Sequence, residues 1–141
     1  MWGEARLVVQ NELAELERLA EFLSQFGTEH NLSEDLSFEL NLALEEIFCN
    51  IVKHGYQDEA CHQITVSLAL SEGTVSLSVA DDAPAFNPLE APEPILDRPL
   101  EDRPIGGLGI HIVRRVMEDV EYRREGDRNI LLMKKRVEKN A

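Results

Sequence analysis

Glu46 and Asn50 lie one helical turn apart inside an otherwise apolar run, ALEEIFCNIVKHGY at residues 43–56. Spaced by four, they project from one side of a helix and reach a common point. An asparagine carboxamide oxygen is a hard ligand suited to magnesium, which takes few protein ligands and fills its shell with water and phosphate oxygens. A neighbouring glutamate can accept the proton of an attacking hydroxyl. The same pair is also what a solvated helix face ordinarily carries, so these two residues alone leave the question open.

Two further stretches carry chemistry. VADDAPAFNP at residues 79–88 places Asp81 where an alternating strand gives way to a tight loop. A carboxylate there can accept a hydrogen bond from an exocyclic amine such as that of adenine, although Asp-Asp-Ala-Pro is equally ordinary turn chemistry. RPIGGLGIHIV at residues 103–113 sets glycines directly before a helix. Backbone amides in such a segment can approach an anion, and the helix amino terminus adds partial positive charge. Read alone, it is also a hinge. Neither GxxxxGK[ST] nor GxGxxG occurs, so a P-loop or a Rossmann site is not supported. Taken together, a metal ligand with a base, an amine acceptor and a phosphate-cradling helix start occur in an order that would assemble one nucleotide site.

The elements that must position these residues follow from periodicity. Residues 5–10 read as a strand, and 11–26 as a helix with Leu13, Leu16, Leu19, Ala20 and Leu23 on one face, broken at Gly27. Ser33, followed by Glu34 and Asp35, opens a second helix running to about Lys53 and ending at Gly55. Its apolar stripe is Leu40, Leu44, Ile47, Phe48 and Ile51, and beside it runs Glu39, Ala43, Glu46 and Asn50. Strands at 64–70 and 75–79 flank a Glu72-Gly73 hairpin signal. A third helix runs from Ile110 to about Glu118, then strands at about 119–124 and 129–136 flank Glu125-Gly126-Asp127. The order β-α-α-β-β-α-β-β implies a two-layer α/β (α+β) sandwich: a mixed, mostly antiparallel sheet covered on one face by three helices. The whole chain, 1–141, reads as a single domain, with a proline-rich lid at about 83–105.

Composition narrows the partners. A length of 141 residues with 43% hydrophobic content supports one core. A net charge of −13 disfavours direct nucleic-acid binding and an anionic membrane surface. The basic residues lean to the later part of the chain, at Arg98, Arg103, Arg114, Arg115, Arg123 and Arg124. Without an 18-residue apolar run or a signal-like amino terminus, the expectation is a cytoplasmic protein. Cys49 and Cys61 lack metal-site spacing and read as reduced thiols. His54 and His62 read on their own as structural or surface groups.

Glu46-x-x-x-Asn50-x-x-x-His54-Gly55-Tyr56, the Asp81 loop and GGLGIHIV resemble the three nucleotide-binding boxes of the GHKL ATPases. More closely, over about residues 5–137, the chain resembles the anti-sigma factor serine-protein kinases of that superfamily, whose domain is the histidine kinase-like ATPase domain, or Bergerat ATP-binding fold. The resemblance implies ATP and Mg2+ as cofactors. It makes Glu46 the catalytic base and Asn50 the metal ligand. Nucleotide binding would fall to Asn50, His54, Gly55, Asp81, Ala83, Phe86, Arg103, Gly106, Gly107, Leu108 and Gly109, with Asp81 on the adenine amine, the glycines around the phosphates and Arg103 in the lid. The implied partner is an anti-sigma factor antagonist, phosphorylated on serine, while a sigma factor or similar regulator is sequestered. A homodimer paired through the first strand is a further expectation. Two departures stand out. Ala83 occupies a usual glycine position, and alanine resists positive φ. Leu131-Leu132 occupies the final-strand region where relatives carry threonine near adenine. The first of these motivates the alternative, a nucleotide-gated partner-binding module without phosphotransfer.

Overall fold

The computed structural model describes residues 2–90 and 107–137. Strand β1 spans Trp2–Gln10 and, after a short 3-10 turn at Leu13–Glu15, helix α1 spans Leu16–Glu29. Helix α2, Glu34–Asn50, continues into a π-helical turn at Ile51–Gly55. Strands β2 (Gln63–Ser71) and β3 (Thr74–Asp81) form a hairpin. Helix α3 (Gly107–Val116) precedes a second hairpin, β4 (Asp119–Glu125) and β5 (Arg128–Arg136). The five strands form one sheet in the order β1-β2-β3-β5-β4. Every pairing in it is antiparallel, which simplifies the mixed sheet expected from sequence. Tight hairpins fix this for β2–β3 and β4–β5, while β1 reaches β2 through two helices and β5 reaches β3 across α3 and β4.

Local chemistry sets most boundaries. The turn between β2 and β3 places both Glu72 (φ 49°) and Gly73 (φ 77°) in the left-handed region, as a tight hairpin of right-handed strands requires. Ser33 caps α2 by accepting a hydrogen bond from the Leu36 N–H at 3.1 Å, with Glu34 and Asp35 in the positive first turn. Helix α1 corrects two expectations. Gly27 does not break it: the glycine is buried, and a Cβ there would lie 2.8 Å from Ser37 Oγ, so it is needed for close approach to α2. The helix ends instead at Glu29, with Asn31 (φ 54°) just past the cap in the left-handed region. There the Leu32 N–H donates to the Gly27 carbonyl at 2.9 Å, the long bond of a Schellman cap with asparagine in the glycine role. Leu13 and Ala20 are exposed, because Leu13 falls in the 3-10 turn and the helix phase then buries Leu19, Leu23 and Phe26.

The core lies between the helices and one face of the sheet. Its strand side is laid out in rows across the register: Val66, Val79 and Leu131 in one, Leu68, Leu77 and Met133 in the next. Leu40, Leu44, Ile47 and Phe48 of α2 face these rows, all buried as the periodicity requires. The alternation that carries Val75, Leu77 and Val79 inward also carries Asp81 inward, at the end of the strand. Asn129, directly opposite Asp81 in the register, has the same parity as Leu131 and Met133. The apolar rows therefore end in a polar one, and the site begins there.

Candidate active site

A cavity of about 340 Å³ opens at this end of the sheet, between α2 with its π-helical turn and the loop after β3. Asn50, His54, Gly55, Asp81, Ala83 and Phe86 all line it, as do Ile47, Val79, Tyr122 and Leu131. Widened turns of this kind recur at functional sites; here the turn continues α2 so that Asn50, Ile51, His54 and Gly55 share one wall. Leu131 therefore contributes an apolar wall and the polar function falls two residues earlier, on Asn129, while Leu132 has the opposite parity.

Asp81 is the most constrained group in the cavity, 5% exposed. Its Oδ1 accepts from the Ala83 N–H and from Asn129 Nδ2, each at 2.9 Å. Burial pushes its carboxyl above the usual range; the two hydrogen bonds and Arg124 oppose that push, and Asp82 adds to it. Among the described residues no buried side-chain nitrogen or oxygen lacks a partner. Asp81 lines the cavity and, among the described residues, Oδ2 accepts none of the bonds to it, so Oδ2 is the oxygen that can take a donor from a ligand. Ala83 is buried and its φ is not positive, so alanine fits this backbone without strain.

Asp82 points away from the cavity into a latch. Its carboxylate accepts from the Tyr56 hydroxyl at 2.8 Å and meets His62 Nδ1 at 3.2 Å, while His62 Nε2 meets Asp58 at 2.8 Å. The Tyr56 and His62 rings stack at 4.1 Å. His62 is pulled above its ordinary value, first by the Asp58 hydrogen bond and then by Asp82. The Asp58 carboxyl falls below its own, chiefly through His62. Burial would raise Asp82, but the bonds from Tyr56 and His62 outweigh it and lower the carboxyl. Tyr56 is raised by burial and by Asp82. Tyr56, next in the chain to Gly55, is thereby tied to the strand end that carries Asp81.

The other end of the site is made by helices. A Cβ built on Gly109, in the first turn of α3, would lie 3.0 Å from Glu46 Oε2 and 3.1 Å from Asn50 Nδ2. Both α2 side chains thus converge on the amino-terminal turn of α3, and a bare α-carbon is what lets them. The carboxamide and carboxylate carry no protein hydrogen bond among the described residues. One amide oxygen beside a helix amino terminus suits a magnesium ion that takes the rest of its shell from phosphates and water. No cluster of three or more His, Cys, Asp or Glu among the described residues offers a denser metal site. Glu39, on the same stripe, has a different task. It pairs with Lys135 of β5, whose ammonium also donates to the Val116 carbonyl at the end of α3. Contacts at both ends thus set α2 and α3 antiparallel.

Gly107 and Leu108 lie in the first turn of α3, which begins three residues before the Ile110 start expected from sequence. Arg103, Gly106 and residues 91–105 of the segment expected as a lid at about 83–105 lie outside the described residues. Asn129, Tyr122 and Arg124 are the members that motif reading missed. Their only sequence signal is phase: Asn129 and Tyr122 are polar or amphipathic residues at core-facing positions of alternating strands.

Comparison with known proteins agrees with this geometry. The model of the histidine kinase-like ATPase domain matches residues 9–135. The serine/threonine-protein kinase BtrW of Bordetella bronchiseptica is 31% identical over 79% of this chain and 79% of its own. The serine-protein kinase RsbW of Listeria monocytogenes is 27% identical over 96% of this chain and 90% of its own, and that of Bacillus mycoides 26% over 68% and 62%. The crystal structure of the RsbU and RsbW domains of Rv1364c from Mycobacterium tuberculosis superposes with a TM-score of 0.73 at 15% identity, covering 99% of this chain and 34% of that longer one. A matched domain spanning nearly the whole chain, and a relative above 30% identity, place the protein in the histidine kinase-like ATPase domain family, alongside the serine-protein kinases of the RsbW and BtrW kind.

Proposed function

We propose that the protein is a magnesium-dependent ATP:protein serine/threonine kinase of the anti-sigma factor type. The observation that supports this most is the convergence of Glu46 and Asn50 on Gly109, beside the cavity that presents Asp81. Asp81 accepts the exocyclic amine of adenine through Oδ2, and Ile47, Val79 and Leu131 supply apolar walls for the base. The first turn of α3, with Gly106, Gly107, Leu108 and Gly109, receives the phosphates through backbone amides and the helix dipole. Asn50 holds magnesium, which when bound neutralises charge across the phosphates and orients them for in-line transfer. The Glu46 carboxylate takes the proton of the attacking serine hydroxyl as its oxygen bonds to the γ-phosphorus, while the bond from that phosphorus to the bridging oxygen breaks and ADP leaves with its electron pair. Arg103 serves the lid.

The acceptor is a serine on an anti-sigma factor antagonist, which competes for the kinase while unphosphorylated, and the regulator sequestered once the antagonist is phosphorylated is a sigma factor or a similar protein, all in the cytoplasm. A homodimer is part of this reading, with β1 as an edge strand of the sheet able to pair with a second copy. No helix among the described residues is long and apolar enough to cross a membrane. Incubating the protein with labelled ATP, Mg2+ and the antagonist-like proteins of the same genome tests the proposal, and absence of transfer to all of them would sink it. The rival reading, a nucleotide-gated module without phosphotransfer, was motivated by Ala83. The unstrained backbone there removes that motive, and normal partner regulation by an Asn50→Ala variant is the result that would revive it.

A further inference from the structure

Asn129 carries more hydrogen bonds than any candidate suggested by motif. Its Nδ2 donates to Asp81 Oδ1 at 2.9 Å and to the Ala83 and Pro84 carbonyls at 3.2 Å each. Its Oδ1 accepts from the Tyr122 hydroxyl at 2.6 Å, from Arg124 Nη1 at 3.2 Å and from the Phe86 N–H at 3.3 Å. The orientation of the carboxamide is dictated by these neighbours. Turned over, its oxygen would face a carboxylate and two carbonyls, and its amide would face two N–H groups. Asn129 and Asp81 are 7% and 5% exposed, so the bond between them is made largely out of water, while those to Phe86, Tyr122 and Arg124 are part-buried.

We propose that Asn129 is a positioning residue for base recognition, holding the Asp81 carboxylate so that Oδ2 faces the cavity and clamping residues 83–86 against β4 and β5. The inference rests on the adenine-nucleotide reading of the cavity. Asp81 has two oxygens, and a ligand amine needs one of them at a fixed angle. With Oδ1 held by Asn129 and Ala83, rotation of the carboxylate would break two short bonds. The amide hydrogens of Asn129 are committed to protein acceptors, so it offers a ligand no donor of its own. Recognition through Asp81 therefore favours a base edge that donates. Tyr122 and Arg124 extend the hold to β4, and Arg124 also donates to the Ala83 carbonyl at 2.9 Å.

The charged and titratable groups acting on Asp81 are Asp82 beside it in the chain, Arg124 from β4 and the Tyr56 hydroxyl. Removing the Asn129 donor takes away one of the influences that keep Asp81 ionised, so its carboxyl rises further. The test is calorimetric titration of the full chain with Mg-ATP from neutral to acid pH. Asn129→Ala, and the isosteric Asn129→Asp, are expected to bind roughly 10- to 100-fold more weakly. For Asn129→Ala, binding should also fall away at a higher pH than in the unaltered chain. A residue that merely supports the fold would not move that midpoint. Tyr122→Phe deletes one hydroxyl without emptying the core and should shift affinity in the same direction by less, which keeps the test decisive if the Asn129 variants do not fold. Variants that match the unaltered chain in affinity and pH profile overturn the inference alone. An unaltered chain that takes up no adenine nucleotide overturns the reading of the cavity, and this inference with it.

Discussion

The strand end of the site and its helix end hold their side chains in opposite ways. Asp81 is buried, accepts two hydrogen bonds, and is backed by an asparagine that has three donors around its oxygen and three acceptors around its nitrogen. Glu46 and Asn50 stand partly exposed at the start of α3, without a protein hydrogen bond among the described residues. The difference suits what each end would meet in the proposed function. A base presents a fixed edge, which a preorganised acceptor recognises at little ordering cost. Phosphates, metal and an incoming hydroxyl bring their own charges and geometry, so groups there are best left uncommitted until the ligand arrives.

The most damaging substitution should separate the two ends. Glu46→Gln removes the proposed proton acceptor and is expected to lower the rate of phosphotransfer by about 10²- to 10⁴-fold while ATP affinity stays within a few-fold; single-turnover transfer beside calorimetry measures both. Equal loss of rate and affinity would mean the ends are not independent. Asp81→Ala should do the reverse, weakening ATP binding roughly 10- to 100-fold through one lost charge-assisted bond, with the rate at saturating ATP largely kept. Gly109→Ala sharpens the comparison from the backbone side. Its Cβ would meet Glu46 Oε2 at 3.0 Å, and displacing that group by a few tenths of an ångström should cost about tenfold in rate. ATP affinity that falls more than the rate would show that Gly109 serves binding first.

Two smaller effects test the scaffold. Ser33→Ala deletes the cap of the helix that carries both Glu46 and Asn50, and should lower stability by about 1 kcal/mol, read as a fall in Tm. The latch of Tyr56, Asp58, His62 and Asp82 should give stability a mild pH dependence. His62 is raised above its ordinary value of 6.5. Its contribution is therefore complete below that value and is lost as pH rises through the raised folded value. Asp58 and Asp82 are lowered from 3.8, so theirs is present above that value and is lost as pH falls through the lowered ones. Tm profiles of the unaltered chain and His62→Gln should diverge on the acid side of neutrality; coincident profiles would remove the latch.

The contrast also explains which parts were legible. Glu46 and Asn50 could be placed together from spacing alone, because helical periodicity is local. Ser33, Glu72-Gly73 and Gly126 announced their cap and turns for the same reason, since each depends on the backbone of a few neighbouring residues. Gly27 misled because glycine serves two purposes. Its close approach to Ser37 is a contact between helices, and nothing in the local chain distinguishes that from a break. Leu131 drew attention in the final strand, yet the polar partner is Asn129, on the same face and one row further on.

By itself the sequence determined parity and local geometry: which residues of each strand face inward, which side of α2 carries Glu46 and Asn50, and where the chain can turn. Those properties arise from periods of two and of about 3.6 residues and from short-range hydrogen bonds. Only the tertiary structure decided that β5 inserts between β3 and β4, setting Asn129 opposite Asp81, and that α3 brings Gly109 against Glu46 and Asn50. Register and helix docking depend on how the buried rows of separate elements fit together, and that fit is a property of no single stretch of chain.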